Sequence, residues 1–242
     1  MRGVASMKYG SYILICFLVV LGVLLSAISL NVGLAYIPAF TEEDPAPYTV
    51  VIDAGHGGED GGATDPTGLK ESTINLEISL RTRDLFHLLG IKTQMIRDTD
   101  RSVSTEGQTV AQRKVSDIRN RVKMTEEIPN ARLLSIHQNH FSQTQYRGAQ
   151  VFYAKTEGSE SWAERIREGI CTQLDPQNRR QTKVSEDVYL MKHISCPGIL
   201  VECGFLSNFE ETALLQESVY QKKLATVLVC CTASYWEEEY EI

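Results

Sequence analysis

The chain has 242 residues and lacks the signatures that most often announce a site within one short stretch. It has no Cys-x-x-Cys pair, so neither a zinc ribbon nor a redox motif is supported. Its six cysteines are scattered: Cys16 lies in an apolar run, Cys230 and Cys231 adjoin, and Cys171, Cys196 and Cys203 stand apart. They read as buried thiols rather than as a disulfide framework. Positive charge is also scarce, with a formal net charge of −7. Residues 1–40 carry only Arg2 and Lys8, so the remainder carries about −9. That balance argues against a patch-driven nucleic-acid binder. The glycine-rich Gly55-His-Gly-Gly58 has neither the Walker lysine pattern nor dinucleotide spacing. The chain contains no internal repeat, and its five histidines include no His-x-x-x-His pair.

Hydrophobic content of 43% and charged content of 23% are ordinary for a globular protein. The length allows one domain of substantial core plus a small extra segment. That segment is N-terminal. Ile13 to Leu25 is uninterrupted apolar, and the run continues to Phe40 with Ser26, Ser29 and Asn31 as polar breaks. About 20 residues span a bilayer as a helix. Arg2 and Lys8 before the run, with Glu42, Glu43 and Asp44 after it, orient the N-terminus to the cytoplasm and the rest outside. The competing reading is a signal cleaved near Gly33-Leu-Ala35. Both readings export the domain; a buried core helix is the third. The expected organisation is an anchor or signal over 1–40, a proline-containing linker over 41–47, a folded domain over 48–237 and an acidic tail over 238–242.

Strand and helix signals alternate along the domain. Thr49 to Asp53, Ile91 to Ile96, Arg132 to His137, Gly148 to Ala154 and Gly198 to Val201 read as strands, with a short one over Val188 to Met191. Glu71 to Leu89 carries apolar residues at helical spacing, and Gly90 ends it. A second helix presents Ala111, Val115, Ile118 and Val122, and is closed by Pro129. Its charged face, Arg119, Arg121 and Lys123, reads first as solvated, with Arg121 as a structural anchor for the sheet edge as the alternative. Ser159 to Leu174 reads as a helix. Asn208 with Glu211, and Ser218 with Gln221, resemble helix-start capping boxes. The last helix runs to about Trp236. The alternation predicts an α/β domain with a mostly parallel sheet.

Four stretches carry chemistry: Asp53-Ala-Gly-His-Gly-Gly58, Lys70-Glu71, Ser135-Ile-His-Gln-Asn139 and Val201-Glu-Cys-Gly-Phe-Leu-Ser-Asn208. Three of them follow apolar strands, so their side chains can converge on one sheet edge. Imidazole and carboxylate are the ligands of a catalytic zinc that keeps a position open for water. Each residue has a plain reading as well. His56, between glycines, is a ligand or an accessible loop residue. Glu71 is a ligand or a carboxylate favoured at a helix N-terminus. His137 is a site residue or a satisfied core histidine. Glu202, beyond an apolar strand, is a general acid/base with a raised pKa or half of an ion pair. His140 reads as a loop residue near the site. His87 and His193 read as bland.

Taken together and in this order, the stretches resemble the zinc-dependent N-acetylmuramoyl-L-alanine amidases of the type-3 amidase family. The resemblance covers about residues 48 to 237. Gly55-His-Gly-Gly58 is similar to the family's first ligand loop, and Ser135-Ile-His-Gln-Asn139 to its Ser-Ile-His-x-Asn strand end. Leu200 to Asn208 is similar to its Val-Glu-x-Gly-Phe-Leu-Ser-Asn signature. Ala54 stands where the family usually has proline, and Gln138 where it usually has alanine. The resemblance implies about six strands flanked by helices, Zn2+ held by His56, Glu71 and His137, and Glu202 as the catalytic acid/base. It implies cleavage of the amide between the lactyl group of muramic acid and L-alanine in peptidoglycan. The single N-terminal anchor, the lack of wall-binding repeats and Val188-Tyr-Leu-Met191 are similar to the germination-specific amidases of spore formers. That subgroup implies a role in spore-cortex maturation, through muramic-δ-lactam, or in germination. A protein partner needed for activity is left open. The rivals are a zinc exopeptidase acting on wall peptides and a non-catalytic peptidoglycan-binding module.

Overall fold

The computed structural model describes residues 48–240. The expected anchor over 1–40 and linker over 41–47 lie outside the described residues. So do residues 241–242 and Cys16. The elements run β1 (Thr49–Ala54), α1 (Glu71–Leu88), β2 (Thr93–Met95), α2 (Val110–Glu126), β3 (Ala131–Asn139) and β4 (Gln150–Tyr153). They continue with α3 (Ser159–Gln173), β5 (Lys183–Val184), α4 (Tyr189–His193), β6 (Gly198–Phe205), α5 (Phe209–Gln216) and α6 (Ser218–Tyr240). The six strands form one sheet in the order β2-β1-β3-β6-β4-β5. Every pairing is parallel except β4 with β6. The expected α/β class and strand number therefore hold.

Both faces of the sheet are covered, which is why its central strands read as continuous apolar runs. On one face Ile52, Leu134, Ile136, Ile199 and Val201 pack with Ile74, Ile78, Trp162, Ile166, Leu224 and Leu228 from α1, α3 and α6. On the other, Val51, Leu133 and Leu200 pack with Ile118 and Val122 of α2 and Leu190 and Met191 of α4. The apolar face expected on α2 starts only at Ile118, because Val115 is 48% exposed. Fully burying each such aliphatic side chain contributes about 1.5–3 kcal/mol.

Several local expectations change. Val188 to Met191 is no strand; α4 occupies Tyr189–His193, with His193 Nδ1 2.7 Å from the Tyr189 carbonyl one helical turn back. A four-residue apolar run does not reveal its own period. β6 extends to Phe205, so Glu202 lies inside the strand rather than beyond it. Ser218 is the first residue of α6 rather than a cap, and its Oγ accepts from Arg81 Nη2 at 3.3 Å. Asn208 does cap α5, accepting from the Glu211 N–H at 3.1 Å. The Glu211 carboxylate instead accepts from the Gly148 and Phe205 N–H groups, both at 2.8 Å. A capping box that the sequence reading passed over starts α2, between Thr109 and Gln112. α6 runs on into the expected acidic tail, where Glu238 pairs with Arg165 at 2.5 Å. Among the described residues all five cysteines are free, as expected, but only Cys203 is buried.

Candidate metal centre

The parallel strands β1, β3 and β6 end at the same edge of the sheet, and the polar residues that follow their apolar stretches meet there. The loop after β1 is fixed by two arginines. Arg97, fully buried, donates to the carbonyls of Ala54 (2.8 Å), Gly55 (2.9 Å) and Ser72 (2.9 Å). Arg121, 2% exposed, pairs with Asp53 and with Asp117, and donates to the carbonyls of Ala54 (3.0 Å) and His56 (2.8 Å). The reading of Arg121 as solvated is therefore corrected: it is the anchor of the sheet edge. Ser135 on β3 completes the cluster, its Oγ donating to Asp53 at 2.6 Å. Burial works to raise the Asp53 pKa, but the Arg121 guanidinium, His137 and the Ser135 hydroxyl together outweigh it and hold the carboxyl below the usual range.

His56 itself adopts φ 60°. A non-glycine residue held in the left-handed region is uncommon and clusters at functional sites. Two glycines leave room for the imidazoles. A Cβ on Gly55 would lie 2.2 Å from the His137 ring, and one on Gly62 would lie 2.6 Å from the His56 ring and 2.5 Å from Glu71 Oε2.

His56, Glu71 and His137 come together, each offering one ligand atom within 4.8 Å of the others. His56 Nε2 lies 3.3 Å from Glu71 Oε2, and His137 Nδ1 lies 2.9 Å from Glu71 Oε1. Glu71 is buried at the start of α1 and is aimed by three further donors. The Ala63 N–H reaches Oε2 at 2.9 Å; the Gln138 N–H and Asn75 Nδ2 reach Oε1, both at 3.1 Å. Gln138 Nε2 in turn donates to Asn75 Oδ1 at 3.1 Å. The other ring nitrogen of His56, Nδ1, meets Asp60 Oδ2 at 2.9 Å, and Lys114 holds that carboxylate at 2.8 Å. A carboxylate behind a histidine fixes its tautomer and leaves the opposite nitrogen free to ligate. Burial alone lowers the His56 pKa, but the hydrogen bonds to Asp60 and Glu71 outweigh it and bring it up to about 9. Glu71 is held well below the carboxylate range, its burial opposed by both imidazoles.

Two imidazoles and one carboxylate, with His56 and Glu71 backed by fixed hydrogen bonds, are a donor set that fits a catalytic zinc. Glu202 is the register partner of His137 across β3 and β6, so the two side chains leave the same face. Its Oε2 is shielded from solvent and has no hydrogen-bond partner among the described residues. Burial pushes its pKa up to about 7, with His137 and His56 pulling down and Glu71 pushing up. A carboxyl poised near neutrality suits proton transfer in both directions.

The four residues singled out in the sequence are thus neighbours in the fold. His140 is not part of the cluster, His87 bonds to Thr93 on the surface (2.7 Å), and His193 stacks on the Tyr189 ring at 3.7 Å. Asp60, Asn75 and Arg97 shape the site without having been assigned to it from sequence, and Arg121 was read as an anchor of the sheet edge only as the alternative to a solvated face. Only Asp60 carried a local signal, lying four residues after His56 in the same glycine-rich loop.

Comparison with known proteins agrees with this arrangement. The family of N-acetylmuramoyl-L-alanine amidases matches residues 50–229. The germination-specific N-acetylmuramoyl-L-alanine amidase of Bacillus subtilis is 34% identical over 192 residues, covering 78% of this chain and 80% of that one. The CwlD amidase from Clostridioides difficile, solved in complex with the GerS lipoprotein, is 35% identical with a TM-score of 0.76. It covers 79% of this chain and 99% of that one. The amidase AmiC2 of Nostoc punctiforme is 28% identical with a TM-score of 0.68, over 79% of this chain and 98% of that one.

Proposed function

Because the chain belongs to the N-acetylmuramoyl-L-alanine amidase family, and so hydrolyses that amide in peptidoglycan, we propose that it works as a zinc enzyme with Glu202 as its acid/base. His56, Glu71 and His137 would hold the ion. When bound, zinc supplies Lewis-acid polarisation of the scissile carbonyl and makes water a readier nucleophile at neutral pH. The remaining steps belong to the chain. The unpartnered Glu202 carboxylate accepts the proton of the attacking water, then passes a proton to the departing alanine nitrogen. The strand pairing with His137 holds it beside the ion's ligands throughout. Asp60 keeps the His56 ring turned with Nε2 inward, and Asn75 with the Gln138 backbone keeps Glu71 from swinging away. The observation that carries this reading is the convergence of three ligand-type side chains beside a carboxyl whose Oε2 is shielded and unpartnered among the described residues.

The finer biological assignment rests on other support. The Bacillus subtilis relative is named for germination, which favours a role in spore-cortex maturation through muramic-δ-lactam, or in germination. The solved complex of the Clostridioides difficile amidase with a lipoprotein supports a partner protein for this chain too. The apolar run within 1–40 supports a membrane anchor, with 41–47 as linker, 48–237 as the catalytic domain outside the cytoplasmic membrane and 238–242 as a tail.

The test is mass spectrometry of purified peptidoglycan digested with the zinc-loaded protein, with and without a chelator. Intact stem peptides with a new free alanine amine are expected, lost on chelation and regained on adding zinc. Shortened stem peptides, or full hydrolysis by rigorously metal-free protein, would overturn the reading.

A further inference from the structure

The row of side chains that holds His137 and Glu202 continues one strand further. Gln150 on β4 is the register partner of Glu202, so it leaves the same face of the sheet, about 4.8 Å away in the pairing direction. Gln150 is buried and spends both ends of its amide on one segment: Nε2 donates to the Gln181 carbonyl and Oε1 accepts from Arg180 Nη1, each at 3.1 Å. Two further contacts fix the Arg180 guanidinium. Its Nε donates to the Arg147 carbonyl at 2.8 Å, and its Cζ lies 4.5 Å from the centroid of the Phe205 ring. Phe205 is brought to this face by an irregularity in the sheet. Between His137 and Asn139 the register slips, so that Asn139 pairs with Phe205 rather than with Gly204. A bulge of this kind re-aims a side chain.

Arg180 is therefore half-buried, held on three sides, and placed beside the row that carries the acid/base. Among the described residues no carboxylate pairs with it and nothing accepts from its Nη2. The neighbouring Arg147, by contrast, is taken by Glu210 at 3.4 Å. A guanidinium fixed in place and left without a counter-charge suits an anion of planar geometry, above all a carboxylate.

The substrate narrows which carboxylate that is, on the reading that the chain cuts the lactyl–alanine amide. The lactyl carboxyl is consumed in that bond and the N-acetylated sugars are neutral. The anions of the intact substrate are thus on the stem peptide. An extended peptide advances about 3.4 Å per residue, comparable to one strand spacing, so the nearest candidate is the residue following the alanine. We propose that Arg180 is a specificity-determining residue that binds the free carboxylate of that residue, so that stems carrying it are preferred over stems carrying a carboxamide there.

Two muropeptides differing only in carboxylate or carboxamide at that residue test this with the full-length zinc-loaded protein. The wild type is expected to favour the carboxylate by about tenfold to a hundredfold in kcat/KM, chiefly through KM, as for a hydrogen-bonded charge pair. Arg180→Gln should bring the ratio near one while leaving kcat on the carboxamide substrate, the zinc content and the melting temperature close to wild type. Arg180→Lys should restore part of the preference. Calorimetric binding of the two released stem peptides to the wild type needs no variant and should give the same preference. A wild type active on both substrates without discrimination, or an Arg180→Gln that keeps the preference or slows both substrates equally, overturns the role of Arg180 while the amidase reading stands. A wild type inactive on both overturns the two together.

Discussion

The two ends of β3 are built on different physics. From Leu133 to Ile136 the strand is buried between two helical layers and, apart from the Ser135 hydrogen bond to Asp53, held by apolar contacts spread over many neighbours. From His137 to Asn139 it faces imidazoles, carboxylates and amides, each held by a few named hydrogen bonds. In the first region no single contact is decisive, because dispersion and burial are summed over many atoms. In the second, each group is decisive, because a buried polar atom left without its partner costs its full desolvation penalty. Glu202 departs from this rule: its Oε2 is shielded and, like Gln138 Oε1, has no hydrogen-bond partner among the described residues, and the proposed acid/base role gives a reason for keeping it.

The sharpest way to break that contrast is at Glu202. Glu202→Gln should lower turnover on peptidoglycan by about 10²–10⁴-fold while zinc content and melting temperature stay near wild type. A near-normal rate would remove the acid/base role. The next largest effect is expected at the buried ion pair. Arg121→Ala leaves Asp53 as an uncompensated buried charge and should cost about 3–5 kcal/mol in urea unfolding, as much as Ile136→Ala in the core, at about 2–5 kcal/mol. A cost under about 1 kcal/mol would show that the sheet edge does not depend on this pair. The same pair sets a pH dependence. The Asp53 pKa is lowered on folding, so its stabilisation is fully present above the unfolded value of about 3.9 and is lost as pH falls through the folded value. Arg121→Ala should lack that part of the acid slope in unfolding curves taken between pH 6 and pH 2.

Smaller effects separate the ion from the fold. Asp60→Asn should weaken zinc binding by about 10–100-fold, read by competition with a chromophoric chelator, with little change in unfolding. Equal affinity in the variant would mean that His56 is oriented without Asp60. Smallest is Thr109→Ala, which removes the cap of α2 and should cost about 1 kcal/mol. Its loss should leave product analysis unchanged, since α2 reaches the loop of the site through Arg113, Lys114 and Arg121 rather than through Thr109.

Most of the fold was legible because apolar runs and their punctuation are local. Thr49 to Asp53 reads as a strand from β-branched residues alone, and Gly90 ends α1 with φ 73°. Val188 to Met191 was misread because Leu190 and Met191 are both buried by packing on Leu133 and Leu200, contacts that no local pattern encodes. Arg121 was misread for a related reason: its charge pattern on a helix is the same whether it faces water or Asp53, and the partner lies 68 residues away. Glu71 read first as a helix-start carboxylate, and it is that as well; its approach to His56 and His137 depends on how α1 lies across the sheet.

By itself the sequence determined which side chains could do chemistry here, the alternation of strand and helix, and the family, since each is written in residue types, their order and their immediate neighbours. The tertiary structure alone decided that residues 56, 71, 137 and 202 share one sheet edge, that Arg97 and Arg121 clamp the loop beneath them, and that Arg180 stands beside the row with no carboxylate partner among the described residues. The reason is geometric: parallel strands far apart in sequence end side by side only once the sheet has formed, and only then do isolated polar groups acquire the neighbours that set their charge and direction.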